Sequence, residues 1–288
     1  MRVSPLLNRR VNVVDLPGLS GASPIGFLAA LGMLRVLAED RGHAVRLAWR
    51  NGRAVLAGLE SADAIEELAA NMAGRAEAVE FTWADTTRKI SPEQYRDAVA
   101  RAGDDRRALA FLAGWGTDAV LREGNVAGTL MDMTSGNQQL PRDLRRLALR
   151  VNRQSLEIAL LGGSYELQSP WGLDPASLRS RATEAESPSK SDSPGKPGLI
   201  WLAFEAIPLH PVMPVSATRV RTTGWRYKPS RAYVWPLWDK LLTLDEVALL
   251  RALPVEKLVN RPGVTEVWAS EQRMNGKYPW LFPAQRER

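Results

Sequence analysis

A chain of 288 residues, 45% hydrophobic and 24% charged, is long enough to bury a real core and has the composition of an ordinary globular protein. Zero cysteines exclude disulfides and thiolate chemistry and fit a cytoplasmic setting, and two histidines, His43 and His210, exclude a multi-histidine metal site. The formal net charge of +6 favours a polyanionic partner such as RNA, DNA or a membrane surface, although arginine-rich chains are also basic without a partner.

Met1 to Val14 has arginines but no apolar run, so no signal peptide is expected. Arg10 to Leu16 reads as a strand ended by Pro17-Gly18, and Gly18 to Gly21 as a plain strand-to-helix turn without the Gly-Lys-Ser/Thr ending or dinucleotide fingerprint of a phosphate loop. Ser23 is a good N-cap and Pro24 fits the first helical position. The helix that follows, to Ala38, is apolar on every side except for Arg35. Such a helix is buried or spans a membrane, and about 15 residues fall short of the roughly 20 a span needs. It is read as the central core helix.

Ala44–Trp49 and Arg53–Leu56 form a hairpin turned at Asn51-Gly52. Ser61–Met72 is helical, Val79–Trp83 a short strand, Ser91-Pro92 the start of another helix, and Asp104–Trp115 one more. Val126–Met133 is strand-like and leads into the polar turn Ser135-Gly-Asn-Gln-Gln139. From Pro141 a single long helix is expected to run to Leu161, stopped by Gly162-Gly163. At about 100° per residue its Arg142, Arg145, Arg146, Arg150 and Arg153 share one arc, with Leu144, Leu147, Val151 and Ile158 on the other. Asp143 is the only acid inside that run, so the stripe reads as not internally neutralised.

Residues 177–198 are dominated by serine, proline and charge and read as a flexible loop or linker. They divide a main region, 1–176, from a Trp-rich basic region, 199–288, which is either separate or part of the same domain. Leu199–Ile207 is helix or buried strand. Val215–Arg221 alternates like a strand, Ala232–Trp235 is another, Thr243 and Glu246 make a capping box for Leu244–Leu253, and Val264–Met274 starts a hairpin turned at Asn275-Gly276. The expected class is α+β: a central buried helix, short and mostly antiparallel strands, several surface helices and one long flexible loop.

Two constellations suit nucleic acid. In the first, Ser135, Asn137, Gln138 and Gln139 supply neutral groups ahead of the five arginines, the mixture that a phosphate backbone requires. In the second, Arg219, Arg221, Arg226, Lys228 and Arg231 alternate with Trp225, Tyr227, Tyr233 and Trp235, and no acid occurs from Val215 to Trp235. Cations beside aromatic faces can grip a single strand; strand alternation could equally turn the aromatics inward. Trp225, Trp235 and Trp238 are candidate partner-binding residues. Catalysis has little support: Asp85, Asp118, Asp132, Glu166 and Asp174 are scattered, Asp104-Asp105 suit a helix start, and no nucleophile elbow is present. No cofactor and no metal is expected.

Leu19-Ser-Gly-Ala-Ser-Pro-Ile-Gly-Phe-Leu-Ala-Ala-Leu-Gly-Met-Leu-Arg35, Ser135-Gly-Asn-Gln-Gln139, Trp201-Leu-Ala-Phe-Glu-Ala-Ile-Pro-Leu-His-Pro211, and Gly224-Trp-Arg with Val234-Trp-Pro-Leu-Trp238 and Leu244-Asp-Glu-Val247, taken in this order, resemble a CRISPR-associated family of type I-G (formerly I-U) systems. The chain departs from that family's pattern in having Met133-Thr134 before the Ser-Gly element, where an aromatic is usual. It also has Trp171-Gly-Leu-Asp-Pro175 in place of an Arg-Trp-Asp-Pro stretch. The resemblance implies a large or accessory subunit, or a helicase-nuclease-extension type, of an RNA-guided DNA-targeting antiviral defence complex. Guide RNA or target DNA, other complex subunits and a helicase-nuclease would be its partners, and no catalytic residue is implied. The expectation is a cytoplasmic, non-catalytic nucleic-acid-binding subunit without a membrane partner. The alternatives are a scaffold docking on partner subunits and, more remotely, a magnesium-dependent nuclease.

Overall fold

The computed structural model describes residues 12–134, 138–164, 166–177, 194–275 and 278–288. Ser135 and Asn137 of the polar turn, most of the segment 177–198 and Gly276 lie outside them. The fold is α+β.

The first strand, β1 (Val13–Ser20), runs through Pro17-Gly18 instead of ending there. It can do so because it is an edge strand, with β3 (Arg53–Ala57) between it and β2 (Arg46–Arg50), and its register shifts between Leu16 and Ser20. The β2–β3 turn is Asn51-Gly52, both at positive φ (51° and 70°), as a two-residue hairpin requires. Helix α1 (Pro24–Arg41) starts at Ser23, whose hydroxyl accepts from the Gly26 amide, and every residue from Pro24 to Ala38 is buried.

What covers α1 explains its all-round apolar sequence. The sheet lies on one side and α8 (Pro197–Glu205), the helical alternative for that stretch, on another. A Cβ on Gly32 would fall 1.8 Å from the Leu202 carbonyl oxygen, so glycine is what lets the two backbones approach. Arg35 is buried where these helices meet. It pairs with Glu39 and Glu205, while Arg75 reaches Glu205 at 2.9 Å and Glu80 at 2.5 Å. Buried charges persist only when their partners compensate the lost water, and this network does so with two arginines shared among three carboxylates.

Between these lie α2 (Ser61–Asn71), α4 (Pro92–Ala102), capped by Ser91, and α5 (Arg106–Trp115), capped by Asp105. Val79–Trp83 is not a strand: α3 (Val79–Thr82) is a helical turn that sends Phe81 into the core against Phe111 and Trp201. Five residues are too few for a period to distinguish strand from helix. Hairpin β4 (Gly116–Arg122) with β5 (Asn125–Gly128) follows, then α6 (Arg142–Ala148), α7 (Arg153–Leu161) and the short pair β6 (Glu166–Leu167) and β7 (Pro194–Gly195).

After α8, β8 (Val212–Ser216) and β9 (Arg219–Thr222) form a two-stranded hairpin. A larger antiparallel sheet follows in the order β10 (Trp225–Arg226), β11 (Ala232–Trp238), β12 (Val264–Asn275) and β13 (Tyr278–Leu281), with β14 (Gln285–Arg286) also on β12. Helices α9 (Leu244–Ala252), with the Thr243–Glu246 capping box, and α10 (Val255–Leu258) lie between β11 and β12. Strand β11 is longer than its sequence suggested and buried along its whole length. Its Trp235 Nε1 donates to the Gly21 carbonyl at 2.7 Å and its Trp238 Nε1 to that of Leu47 at 2.8 Å. Leu47 and Leu242 also exchange backbone hydrogen bonds. One hydrophobic cluster therefore runs from Leu16 to Leu281, through residues on both sides of 177–198.

Candidate nucleic-acid interface

The expected helix from Pro141 to Leu161 is two helices. Asn152, at φ −140°, caps α7: its side chain accepts from the Ser155 amide at 3.0 Å, and Ser155 Oγ accepts from the Asn152 amide at 2.9 Å. Asparagine competes with helical backbone bonds through this kind of local contact, and the chain turns at 149–152 instead of continuing. The sequence signal was present in Asn152-Arg-Gln-Ser155 but was outweighed by the apolar periodicity. The arc of five arginines on one helix is therefore not formed.

The reading of an un-neutralised stripe fails as well. Arg142 lies 3.1 Å from Asp143 and donates to Gln139 Oε1 at 2.7 Å. Arg145 pairs with Asp85 and donates to the carbonyls of Phe81 at 2.6 Å and Ala84 at 3.2 Å. Arg146 approaches Asp143 at 3.5 Å, and Arg150 donates to Gln168 Oε1 at 2.8 Å. Arg153 pairs with Glu66 and, at 3.4 Å, with Glu157. In the turn, the Gln138 carbonyl accepts from Arg88 at 2.6 Å and the Gln139 amide donates to Asp143 at 2.8 Å. Arg145, Arg150 and Arg153 tie this region to Asp85, Gln168 and Glu66 in other parts of the chain, while Arg142 and Arg146 share Asp143 within α6.

The second constellation differs. Arg226 pairs with Glu287, but Arg219, Arg221, Lys228 and Arg231 are exposed and, among the described residues, form no ion pair. Arg221 lies 5.9 Å from the Tyr227 ring, whose hydroxyl accepts from the Thr222 amide at 2.9 Å. Tyr227 thus joins hairpin β8–β9 to the turn that carries Lys228 and Arg231. Arg231 donates to the neutral Gln272 at 3.1 Å.

Trp225, Trp235 and Trp238 do not serve as a docking surface. They are 1%, 0% and 1% exposed, so their rings anchor the core. Truncating a buried tryptophan costs about 3–5 kcal/mol, so loss of assembly in such a variant would report unfolding rather than a lost contact.

Under the second patch lies a buried polar group that the sequence did not reveal. His210 Nδ1 is 2.8 Å from the Ala206 carbonyl, which only accepts, so Nδ1 carries the proton. His210 Nε2 then accepts from the Tyr233 hydroxyl at 2.8 Å, and Arg251 donates to Tyr233 at 3.3 Å and to the Val234 carbonyl at 3.0 Å. Burial, and then the Arg251 charge, push the His210 pKa down to about 3, while burial pushes Tyr233 up to about 12. Burial also lowers Arg251, which has no carboxylate partner among the described residues. Gly224, at φ +82°, admits this guanidinium: a Cβ there would sit 1.9 Å from Arg251 Nη2. The three residues are 23 and 18 positions apart in sequence, and only the fold brings them together.

The scattered carboxylates occupy separate places. Asp85 pairs with Arg145, Asp118 with Arg96 at 2.8 Å, and Asp132 accepts from the Thr134 amide at 2.9 Å. Glu166 lies on β6 and Asp174 is buried beyond it. Among the described residues no helix is long and apolar enough to cross a membrane, and no three His, Cys, Asp or Glu side chains group as a metal site. Comparison with protein-family models and with curated proteins finds no match to this chain.

Proposed function

We propose that this protein is a non-catalytic nucleic-acid-binding subunit of a type I-G CRISPR interference complex, working in the cytoplasm and holding a phosphate backbone on Arg219, Arg221, Lys228 and Arg231. The observation that carries the proposal is the set of four exposed cations that form no ion pair among the described residues, in a stretch from Val215 to Trp235 that has no acid. Free guanidinium and ammonium groups release counter-ions when they meet phosphate, whereas groups already paired with carboxylates gain little. The four sequence blocks that resemble the family supply the complex, and with it the partners: guide RNA or target DNA, sister subunits and a helicase-nuclease. In that setting base pairing reads the sequence, and the protein's share is backbone contact.

The test is binding of labelled RNA and DNA by the wild type and by a variant with all four residues changed to alanine, across a salt series. The variant is expected to bind more weakly and with a shallower salt dependence. Unchanged affinity and slope would remove the proposal.

A further inference from the structure

Hairpin β8–β9 has two faces. Val212, Val220 and Thr222 point inward, the two valines joining Val120 and Ala127 of the β4–β5 hairpin in a small apolar cluster. On the other face Met213 and Val215 remain 53% and 49% exposed. Met213 stands directly opposite Arg221 in the antiparallel register, and directly opposed residues share a face. Two large apolar side chains thus lie exposed beside a cation that forms no ion pair among the described residues. A groove of about 170 Å³ lies along this face, between Met213, Val215 and Arg221 on the hairpin and Leu253, Pro254 and Val255 after α9.

The groove is small compared with the roughly 300–1,000 Å³ that hold drug-sized ligands, and its lining mixes the apolar side chains named above with polar surface from Arg221, Thr222, Thr223 and the buried Arg251. Along its floor the polar backbone is already used. The Thr222 amide donates to Tyr227, the Thr223 amide to the Pro211 carbonyl at 3.1 Å, and the Gly224 carbonyl accepts from the Val234 amide at 2.8 Å. The site offers the exposed apolar side chains of Met213 and Val215 directly beside the positive charge of Arg221. We propose that it takes one unstacked nucleobase of a single strand against Met213 and Val215, with the neighbouring phosphates on Arg221 and Arg219; this deepens the reading above and rests on it. A duplex keeps its bases stacked and cannot fill the groove.

The test is fluorescence anisotropy with three labelled oligonucleotides of equal length: a single strand, an abasic strand of the same charge, and a duplex. The intact single strand is expected to bind about tenfold more tightly than the abasic one, the scale of one base contact. The double variant Met213→Ser, Val215→Ser alters only exposed side chains; it should bring the two strands within about twofold of each other and leave the salt dependence unchanged. Equal binding of abasic and intact strands, a preference for duplex, or a double variant that keeps the full difference would each overturn the inference. Failure of all three oligonucleotides to bind would overturn the phosphate-binding reading, and the base site with it.

Discussion

The two arginine-rich segments look alike in sequence and are opposite in structure. In residues 138–153, Arg145, Arg150 and Arg153 reach Asp85, Gln168, Glu66 and the carbonyls of Phe81 and Ala84 in other parts of the chain, and Asp143 and Glu157 meet Arg146 and Arg153 within their own helices. Residues 219–231 leave four cations facing solvent without a carboxylate partner among the described residues. The difference lies not in the number of charges but in whether the fold brings acids from elsewhere to meet them.

The largest effect should come from removing the free set. With Arg219, Arg221, Lys228 and Arg231 changed to alanine, affinity should fall about a hundredfold at low salt and the salt slope by about 3, since each phosphate contact contributes about 0.7–0.9. Thermal unfolding should be nearly unchanged, because the four side chains are exposed. The second effect concerns the support beneath this patch. His210 stays neutral in the fold until about pH 3 but takes up a proton in the unfolded chain near pH 6.5, so below that value the unfolded state binds more protons. Its contribution to stability is complete above pH 6.5 and is lost as pH falls, by up to about 1.4 kcal/mol per pH unit. Urea unfolding at pH 7, 5.5 and 4 measures this, and a flat profile would show that His210 is not held neutral.

On the paired side, Arg145→Ala should lower unfolding free energy by about 1–3 kcal/mol, because two carbonyls and Asp85 lose their donor. It should barely change nucleic-acid affinity; a large loss of binding would erase the distinction between the patches. The smallest and sharpest test is Asp143→Asn, which removes the charge facing Arg142 and Arg146. With that charge gone, the exposed Arg146 should raise nucleic-acid affinity by a few-fold and steepen the salt dependence.

Local features were legible from the sequence wherever they depend on neighbours in the chain. Ser23, Ser91, Asp105 and Thr243 cap the helices that they precede, and Asn51-Gly52 turns its hairpin. The absence of any polar face on residues 24–38 already implied burial on all sides. Periodicity misled at Pro141–Leu161, because two apolar helices in succession give nearly the same pattern as one. It also misled at Val79–Trp83, where a single turn is too short to show a period. The site residues were the least legible, since an arginine's role depends on what stands opposite it. Arg145 meets Asp85 across 60 residues and Arg153 meets Glu66 across 87.

The sequence by itself determined the core helix, the caps and turns, the α+β class and the acid-free basic stretch from Val215 to Trp235. These follow from side-chain chemistry at short range, where each residue's neighbours are its neighbours in the chain. Only the tertiary structure decided which arginines are neutralised, that Trp225, Trp235 and Trp238 are anchors of one core rather than a docking face, and that His210, Tyr233 and Arg251 meet beneath the exposed patch. Electrostatic pairing and burial depend on separation in space, and residues far apart in the chain acquire that separation only when it folds.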